Sequence, residues 1–426
     1  MSASEAGPAF FLAVVVILAA CRLVCWAAVK IGQPPVVGEM IAGVLLGPSL
    51  LGLLWPGLQG ALFPDAIRPL LYVGGQIGLV IYMFGAGHEF SLRNVRGSTK
   101  AVGAISLAGN LVPLGLGVGV SLLGNSWAGI LKPGVSPWVS TAFIGVALAI
   151  TAFPMMARII TERRLAGTRF GSLALACGAL DDVLAWILLA IVVGMNAGSA
   201  TPVTLAVVGG VLFALLLWLA GRRLLARALA TPRIDEDQRV LITGMALFAA
   251  AWFTDRIGIY AVFGAFCLGM VYPRNEAADA VLAKIMPLGR IVFLPLFFVY
   301  SGLNTRFGLL ADWRLAAFTL VCVVASVVGK WGACWGTARL MGEKQPIAAR
   351  IGVLINARGL MQLIALNVGL QAGIVSPALF TVLVIVALVT TTMTAPLLAW
   401  LDRRDSRRQA GEFADMDLPV DQAVRS

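Results

Sequence analysis

The chain has 426 residues, of which 59% are hydrophobic and 12% are charged, and its formal net charge is +11. Ordinary soluble domains are about 45–50% apolar and about 25% charged, so this composition excludes them. The basic residues lie in short segments between apolar runs. This placement argues against a nucleic-acid-binding face and indicates membrane topology and contact with anionic lipid. Runs of about 20 apolar residues recur along the chain and predict an all-α polytopic membrane protein.

The apolar runs predict about thirteen transmembrane helices. Their limits lie near residues 8–29, 36–54, 69–87, 101–123, 137–157, 170–194, 202–220, 238–254, 257–272, 285–303, 315–338, 347–372 and 377–401. The eighth and ninth runs are short, and only Thr254-Asp255-Arg256 separates them. The first run is too long for the apolar part of a signal peptide and follows Glu5, so we interpret it as a retained span.

Basic residues distinguish the two sides of the membrane. When successive loops are assigned to alternate sides, 23 Lys and Arg residues fall on one side and 5 on the other. Merging the eighth and ninth runs would invert every later loop and remove this asymmetry. The positive-inside rule therefore predicts a multi-pass protein of the cell (inner or plasma) membrane, with the N-terminus outside and the C-terminus in the cytoplasm.

The transmembrane domain is expected to occupy residues 1–401. The remaining segment, 402–426, is charged and poor in large apolar residues. Such a segment buries too little apolar surface to form a domain, so we expect a short, disordered cytoplasmic tail.

Two predicted spans contain residues that interrupt a helix. Thirteen spans allow two six-span units of inverted topology around one linker span, an architecture typical of transporters. In the fifth span, Pro154 lacks an amide hydrogen and clashes with the preceding turn, which predicts a break in the segment 150–154. Asn356-Ala357-Arg358-Gly359 interrupts the twelfth span. Each interruption lies in the fifth span of its six-span unit.

The strongest candidate site is a pair of adjacent carboxylates, Asp181 and Asp182, near the centre of the sixth span. Each carboxylate costs about 2.5–3.5 kcal/mol on an insertion scale, which favours a functional role. A structural pair held neutral by hydrogen bonds is the alternative. Adjacent helical residues point about 100° apart. One aspartate can therefore line an ion site while the other faces a neighbouring helix.

Two cationic side chains also lie within predicted spans. Lys330 is the only charged residue of the eleventh span and needs a counter-charge, so we predict a salt bridge with Asp181 in the ion-free protein. Arg358 lies in the predicted break of the twelfth span, where it can neutralise the partial negative charge of helix carbonyl ends. Purely structural charge balance is the alternative for both. In this balanced core, loading Na⁺ or K⁺ beside Asp182 requires a proton to leave.

Other polar residues are weaker candidates. Glu39 lies early in the second span and fits a structural role better than ion binding. His88, the only histidine, lies with Glu89 at the cytoplasmic end of the third span. There it can sense pH, although a solvated or capping histidine is the simpler interpretation. The six cysteines lie inside apolar runs with neither metal nor disulfide spacing. We expect no cofactor and no metal other than the transported cation.

Four segments, in the same order along the chain, resemble the second monovalent cation/proton antiporter family. This family holds Kef-type potassium/proton systems, bacterial sodium/proton exchangers and plant cation/proton exchangers. The segments are 38–52 (GEMIAGVLLGPSLLG), 150–154 (ITAFP), 182–190 (DVLAWILLA) and 357–360 (ARGL). The resemblance covers residues 10–400, and its second and third segments are closest to the plant-type branch.

The resemblance implies a Na⁺/H⁺ antiporter-like fold, an elevator-type mechanism and usually a homodimer. By position, it implies that Asp182 carries the ion and the proton, and that Asp181 holds a position that varies among relatives. Lys330 resembles the core lysine of electrogenic members, while Thr151 and the backbone around Phe153 resemble the broken-helix part of the ion site. Spans 1–3 and 8–10 would form the dimerisation part, and spans 4–6 and 11–13 the core.

The predicted function is exchange of sodium or potassium for protons. Alternatives are a transporter of the same fold for another solute, a potassium efflux pathway, or, from another class, a membrane-embedded enzyme. A single histidine, short polar loops and the lack of a Ser/His/Asp set argue against the enzyme. The sequence contains none of the long regulatory tails of Kef-type and plant members, so gating by glutathione or nucleotides is not expected.

Overall fold

The computed structural model describes residues 3–89, 99–165, 168–196, 200–231 and 233–416. All regular secondary structure within these ranges is helical. A helix satisfies its own backbone N–H and C=O groups, which is required where no water is available in the hydrocarbon layer. The predicted all-α membrane fold is confirmed.

The first six predicted spans correspond to helices α1 to α9. These are α1 (Ala3–Lys30), α2 (Pro35–Leu46), the short α3 (Leu51–Leu54) and α4 (Pro56–Leu62), α5 (Arg68–Glu89), α6 (Thr99–Ala128), α7 (Pro137–Ala149), α8 (Phe153–Glu162) and α9 (Arg169–Asn196). Helices α7 and α8 are the two halves of the interrupted fifth span.

The remaining spans correspond to helices α10 to α20. These are α10 (Ala200–Leu216), α11 (Arg222–Ala230), α12 (Glu236–Arg256), α13 (Ala261–Val271), α14 (Glu276–Leu288), α15 (Leu294–Leu303), α16 (Trp313–Val327), α17 (Ala333–Leu340), α18 (Gln345–Ile355), α19 (Gly359–Gln371) and α20 (Pro377–Met416). Single turns of π-helix at Leu217–Gly221, Gly289–Phe293 and Val328–Gly332 join α10 to α11, α14 to α15 and α16 to α17.

Eleven helical segments among the described residues are long and apolar enough to cross a membrane. The predicted eighth and ninth spans form separate helices, as expected. However, α12 carries charged residues at both ends of its 21 residues, and α13 has only 11 residues. The membrane architecture is therefore established, while the count of thirteen spans stays a prediction.

The helices pack in two groups. In one group, α5 packs against α13 and α15, and α2 packs against α1 and α15. In the other, α6 packs against α7, α9 and α16, while α20 packs against α16, α18 and α19. Small residues permit the closest crossings: a methyl group on Gly302 of α15 would clash with the carbonyl oxygen of Gly43 on α2.

The last helix runs past the predicted end of the transmembrane domain. Helix α20 continues to Met416, so its described backbone is helical over residues 402–416, while the predicted disorder of the tail stays a prediction. Two ion contacts join the start of this segment to the bundle. Arg350 of α18 lies 2.8 Å from Asp402 and 2.6 Å from Asp405, which fixes the start of this segment to the bundle. Residues 417–426 of the predicted tail lie outside the described residues.

Candidate functional site

The fifth span is broken as predicted. Helix α7 ends at Ala149, the backbone of Ile150 is extended (φ −57°, ψ 135°), and α8 begins at Phe153. Pro154 is the second residue of α8, where its missing amide hydrogen leaves no intrahelical bond unmade. The proline therefore starts the second half-helix, and the chain opens just before it.

The twelfth span is broken at the matching position of the second unit. Helix α18 ends at Ile355 and α19 begins at Gly359, whose φ of +42° lies in the left-handed region that favours glycine. The two breaks meet directly, because the amide of Ala152 donates to the carbonyl oxygen of Ala357 at 2.9 Å. The predicted pair of broken helices is thus confirmed, and the two breaks cross.

Asp181 lies at this crossing, fully buried and surrounded by donors. Its Oδ1 accepts from the Ser106 hydroxyl and, at 2.8 Å, from the Asn110 amide. Its Oδ2 accepts from the Thr151 hydroxyl at 2.8 Å and from the Lys330 ammonium at 3.2 Å. Four donors satisfy the acceptor capacity of a carboxylate. Asp181 is therefore a fixed anion that holds α6, α9, the first break and the eleventh span together.

Asp182 has a different environment, although it is adjacent in sequence and only 1% exposed. Its Oδ1 lies 3.5 Å from the backbone nitrogen of Phe153, a long contact at the N-terminus of α8. Its Oδ2 has no hydrogen-bond partner among the described residues. The N-terminus of a helix attracts negative charge, so α8 orients this carboxylate without saturating it. Asp182 Oδ2 is thus the one oxygen of the carboxylate pair without a hydrogen-bond partner among the described residues.

The two buried cationic side chains, Lys330 and Arg358, both contact the end of α7. The Lys330 ammonium donates to the carbonyl oxygen of Ala149 at 2.6 Å in addition to its salt bridge with Asp181. The Arg358 guanidinium donates to the carbonyl oxygen of Ala147 at 3.1 Å. These carbonyls belong to the last turn of α7, which carries partial negative charge.

The predicted ion pair between Asp181 and Lys330 is present. Arg358 adds a contact with the carbonyl oxygen of Ser326 at 3.3 Å on the neighbouring α16. Arg358 therefore makes the contact with a half-helix end that its position suggested. What these two cations contribute to function stays a prediction.

The three secondary candidates lie apart from this cluster. Glu39 is on α2, and its Oε2 has no partner in the part of the chain that the structure describes. His88 is in the last turn of α5, with its Nε2 3.6 Å from the mostly exposed Asp279, and α5 ends at Glu89. No described hydrogen bond or ion pair joins any of the three to Asp181 or Asp182. Their functional roles stay predictions.

The sequence interpretation missed Ser106 and Asn110, which bind Asp181 directly. Both lie on α6, the predicted fourth span. Their spacing of four residues places them on one helix face, and both are buried in an otherwise apolar stretch. This polar pair was a usable signal, because polar side chains in a membrane helix normally face a partner.

These features define a class of protein. The chain is a helical, multi-pass membrane protein in which two interrupted helices cross beside buried charges. Crossed, discontinuous helices of this kind are typical of secondary transporters.

Comparison with known proteins gives the family. Residues 13–400 match the family described as sodium/hydrogen exchanger, transmembrane. The Na(+)/H(+) antiporter NhaS4 of Synechocystis sp. is 36% identical over 390 residues, which cover 90% of this chain and 95% of that protein. The chain therefore belongs to the sodium/hydrogen exchanger family, and the predicted family resemblance is confirmed.

Two further comparisons extend this result. Cation/H(+) antiporter 17 of Arabidopsis thaliana is 34% identical over 408 residues, which cover 92% of this chain and 48% of that protein. The chain thus spans about half the length of this plant relative. The structure of the sodium proton antiporter MjNhaP1 from Methanocaldococcus jannaschii matches with a TM-score of 0.63 at 14% identity, over 93% of this chain and 96% of that chain. At this identity the likeness establishes the fold.

Proposed function

We propose that this protein exchanges a monovalent cation for protons across a membrane, with Asp182 binding either ion. The observation that carries the proposal is the contrast between two adjacent carboxylates. Asp181 accepts four hydrogen bonds, one of them from Lys330. Asp182 is equally buried, and its Oδ2 has no partner among the described residues.

Charge balance explains why the two ions compete. The charge of Asp181 is offset by Lys330, whereas the Arg358 guanidinium donates to backbone carbonyls. An ionised Asp182 therefore has no cationic side chain of its own in this cluster, and a buried charge without a partner is costly. Binding either a proton or a cation removes this cost. Binding both would introduce an excess positive charge, so arrival of one ion favours departure of the other.

The oxygens near Asp182 suit a hard monovalent cation. The hydroxyl hydrogen of Thr151 points to Asp181, which leaves the lone pairs of the hydroxyl oxygen free to coordinate. The backbone between α7 and α8 leaves the helical conformation at Ile150, and carbonyl oxygens of such unwound segments can coordinate a cation. We propose Asp182 Oδ2, Thr151 Oγ1 and the backbone before Phe153 as ligands.

The proposal includes the transported cation, the mechanism and the orientation in the membrane. The named relatives are described for sodium or for cations generally. We therefore propose Na⁺ or K⁺ as the substrate. The packing of the helices in two groups supports an elevator mechanism. In this mechanism, the group containing α6–α9 and α16–α20 moves against a dimerising group that contains α1, α2, α5 and α12–α15. The uneven distribution of basic residues supports a cell-membrane protein with its N-terminus outside.

The test is proton movement in proteoliposomes that contain a pH-sensitive dye. Na⁺, K⁺, Li⁺ and Rb⁺ are added separately to the outside, with protein-free liposomes as the control. We expect at least one cation to drive proton efflux, and reversal of the cation gradient to reverse the dye signal. Cation flux without proton counter-movement would instead indicate an efflux pathway. No proton movement with any of the four cations would refute the antiporter assignment.

A further inference from the structure

An open groove of about 640 Å³ lies between the eleventh, twelfth and thirteenth spans, away from the carboxylate pair. Its wall is largely apolar and aromatic, with charged residues at one end. The lining includes Val328, Trp331, Trp335, Trp400, Arg404 and Asp405. Three tryptophans in one groove are informative, because tryptophan is enriched where the hydrocarbon layer meets the headgroups.

The charges at the end of the groove are not balanced. Asp405 is already paired with Arg350 at 2.6 Å. Arg404 is exposed, and its guanidinium carbon lies 5.4 Å from the centre of the Trp400 ring. Stacking on an aromatic ring leaves the N–H donors at the edge of a guanidinium available for an anion. The groove thus combines an apolar wall with a basic end.

The groove also has free space beside the backbone. A methyl group added to Gly332, which lines the groove, would have no heavy atom within 4 Å. An alkyl chain can therefore lie along this wall without displacing a side chain. A ligand that fits both ends has a long apolar part and an anionic headgroup.

We propose that an anionic phospholipid binds in this groove, with its phosphate at Arg404 and an acyl chain along Val328 and Gly332. The wall of the groove is the π-helical turn Val328–Gly332, which also carries Lys330 on its other side. In addition, Trp331 packs closely on Gly352 of α18, the half-helix that precedes Arg358. The bound lipid therefore stabilises the two segments that bring cations to the end of α7.

The first test measures lipid binding by the purified full chain, independently of transport. Retained lipids are counted by native mass spectrometry during titration with phosphatidylglycerol or phosphatidylcholine. We expect Arg404→Gln to weaken phosphatidylglycerol binding about fivefold, the factor that corresponds to roughly 1 kcal/mol per basic residue near an anionic surface. Arg403→Gln is the matched control, because Arg403 is exposed on the same helix and does not line the groove. It should leave binding unchanged.

The second test fills the apolar part of the groove with a larger side chain. Gly332→Leu should remove the saturable phosphatidylglycerol site and its gain in thermal stability, since a ligand that binds the folded state stabilises it. Gly119→Leu, at another helical glycine with free space around it, should retain both. Equal binding by the wild type, Arg404→Gln and Gly332→Leu would overturn the proposal. Cross-linking of the groove to a second copy or to residues 417–426 in place of lipid would also overturn it.

Discussion

The two broken helices lie at matching positions of the two predicted six-span units and have different chemical surroundings. At the first break, the end of α7 receives two buried cations, with Lys330 at Ala149 and Arg358 at Ala147. The next half-helix, α8, begins beside the carboxylate of Asp182. The first break is therefore a site of concentrated and only partly compensated charge.

The second break is closed by uncharged groups. The amide of Gly359 donates to the Thr391 hydroxyl on α20 at 2.8 Å. The carbonyl of Ala357 accepts from Ala152 in the first break. Arg358 leaves its own break and binds carbonyls of α7 and α16. The second break thus supports the first. Its own unpartnered buried oxygen among the described residues, Asn356 Oδ1, belongs to a neutral amide and carries no titratable charge.

The two units therefore place an interruption in the same span, while the side chains around each interruption give the two breaks unequal roles. We expect substitutions around the first break to change transport or charge coupling. Substitutions that affect only the second break should change stability and leave the chemistry of exchange intact.

The largest effect is expected from Asp182→Asn. Asparagine keeps the shape of the side chain and removes the charge that binds a proton or cation. Exchange should fall to the level of protein-free liposomes. The melting temperature in detergent should remain close to that of the wild type, because Asp182 Oδ2 has no described partner to lose. The measurement is dye-reported exchange combined with a thermal unfolding curve.

The control for this variant is Asp65→Asn. Asp65 is an exposed carboxylate that pairs with Arg68 at 3.1 Å, and it begins a short 3-10 helix outside the crossing. It should exchange at the wild-type rate. Exchange at the wild-type rate by well-folded Asp182→Asn would show that the first break does not hold the transported ion at this residue.

The next effect concerns the buried pair of Asp181 and Lys330. Lys330→Ala leaves an anion without its charged partner in a low-dielectric interior, which typically costs about 3–5 kcal/mol. The double variant Asp181→Asn/Lys330→Gln removes both charges and should recover much of that loss. Transport by the double variant is expected to change its charge stoichiometry, because Lys330 no longer contributes a charge. A double-mutant cycle on thermal stability, with transport current on a solid-supported membrane, measures both effects.

Lys284→Ala is the contrasting control. Lys284 forms its ion pairs with Glu236 and Asp237 at the surface, where solvent screens them, so little change is expected. Additive losses at Asp181 and Lys330, with an unaltered current per turnover, would show that the two residues are not coupled.

Much of the crossing could be predicted from sequence, for physical reasons that differ between residues. Charged side chains in membrane helices are rare and costly, so Asp181, Asp182 and Lys330 stand out from a single sequence. Proline and glycine mark where a helix is interrupted, so both breaks could be placed within a few residues. The pairing of Lys330 with Asp181 followed because neither has another counter-charge in its own span.

The missed features depend on tertiary contacts. The spacing of Ser106 and Asn110 indicates a polar face on α6, but packing decides that this face meets Asp181 on α9. The segment after residue 401 has a polar sequence, and its contacts with Arg350 join it to a different helix. In both cases the local sequence does not show which residue of another helix it will contact.

The smallest effect is expected at the second break, from Thr391→Val. The substitution keeps the branched shape and removes the hydroxyl that accepts from the Gly359 amide. That amide is buried, and an unsatisfied buried donor costs about 1–3 kcal/mol. Thr390→Val is the matched control, because the described hydrogen bonds of the Thr390 hydroxyl lie within its own helix, to the carbonyl oxygens of Val386 and Ala387. Thr391→Val should therefore melt at a lower temperature than Thr390→Val. Exchange per folded molecule should be equal in the two variants, since neither hydroxyl touches Asp182. A selective loss of exchange in Thr391→Val without loss of stability would place ion chemistry at the second break as well.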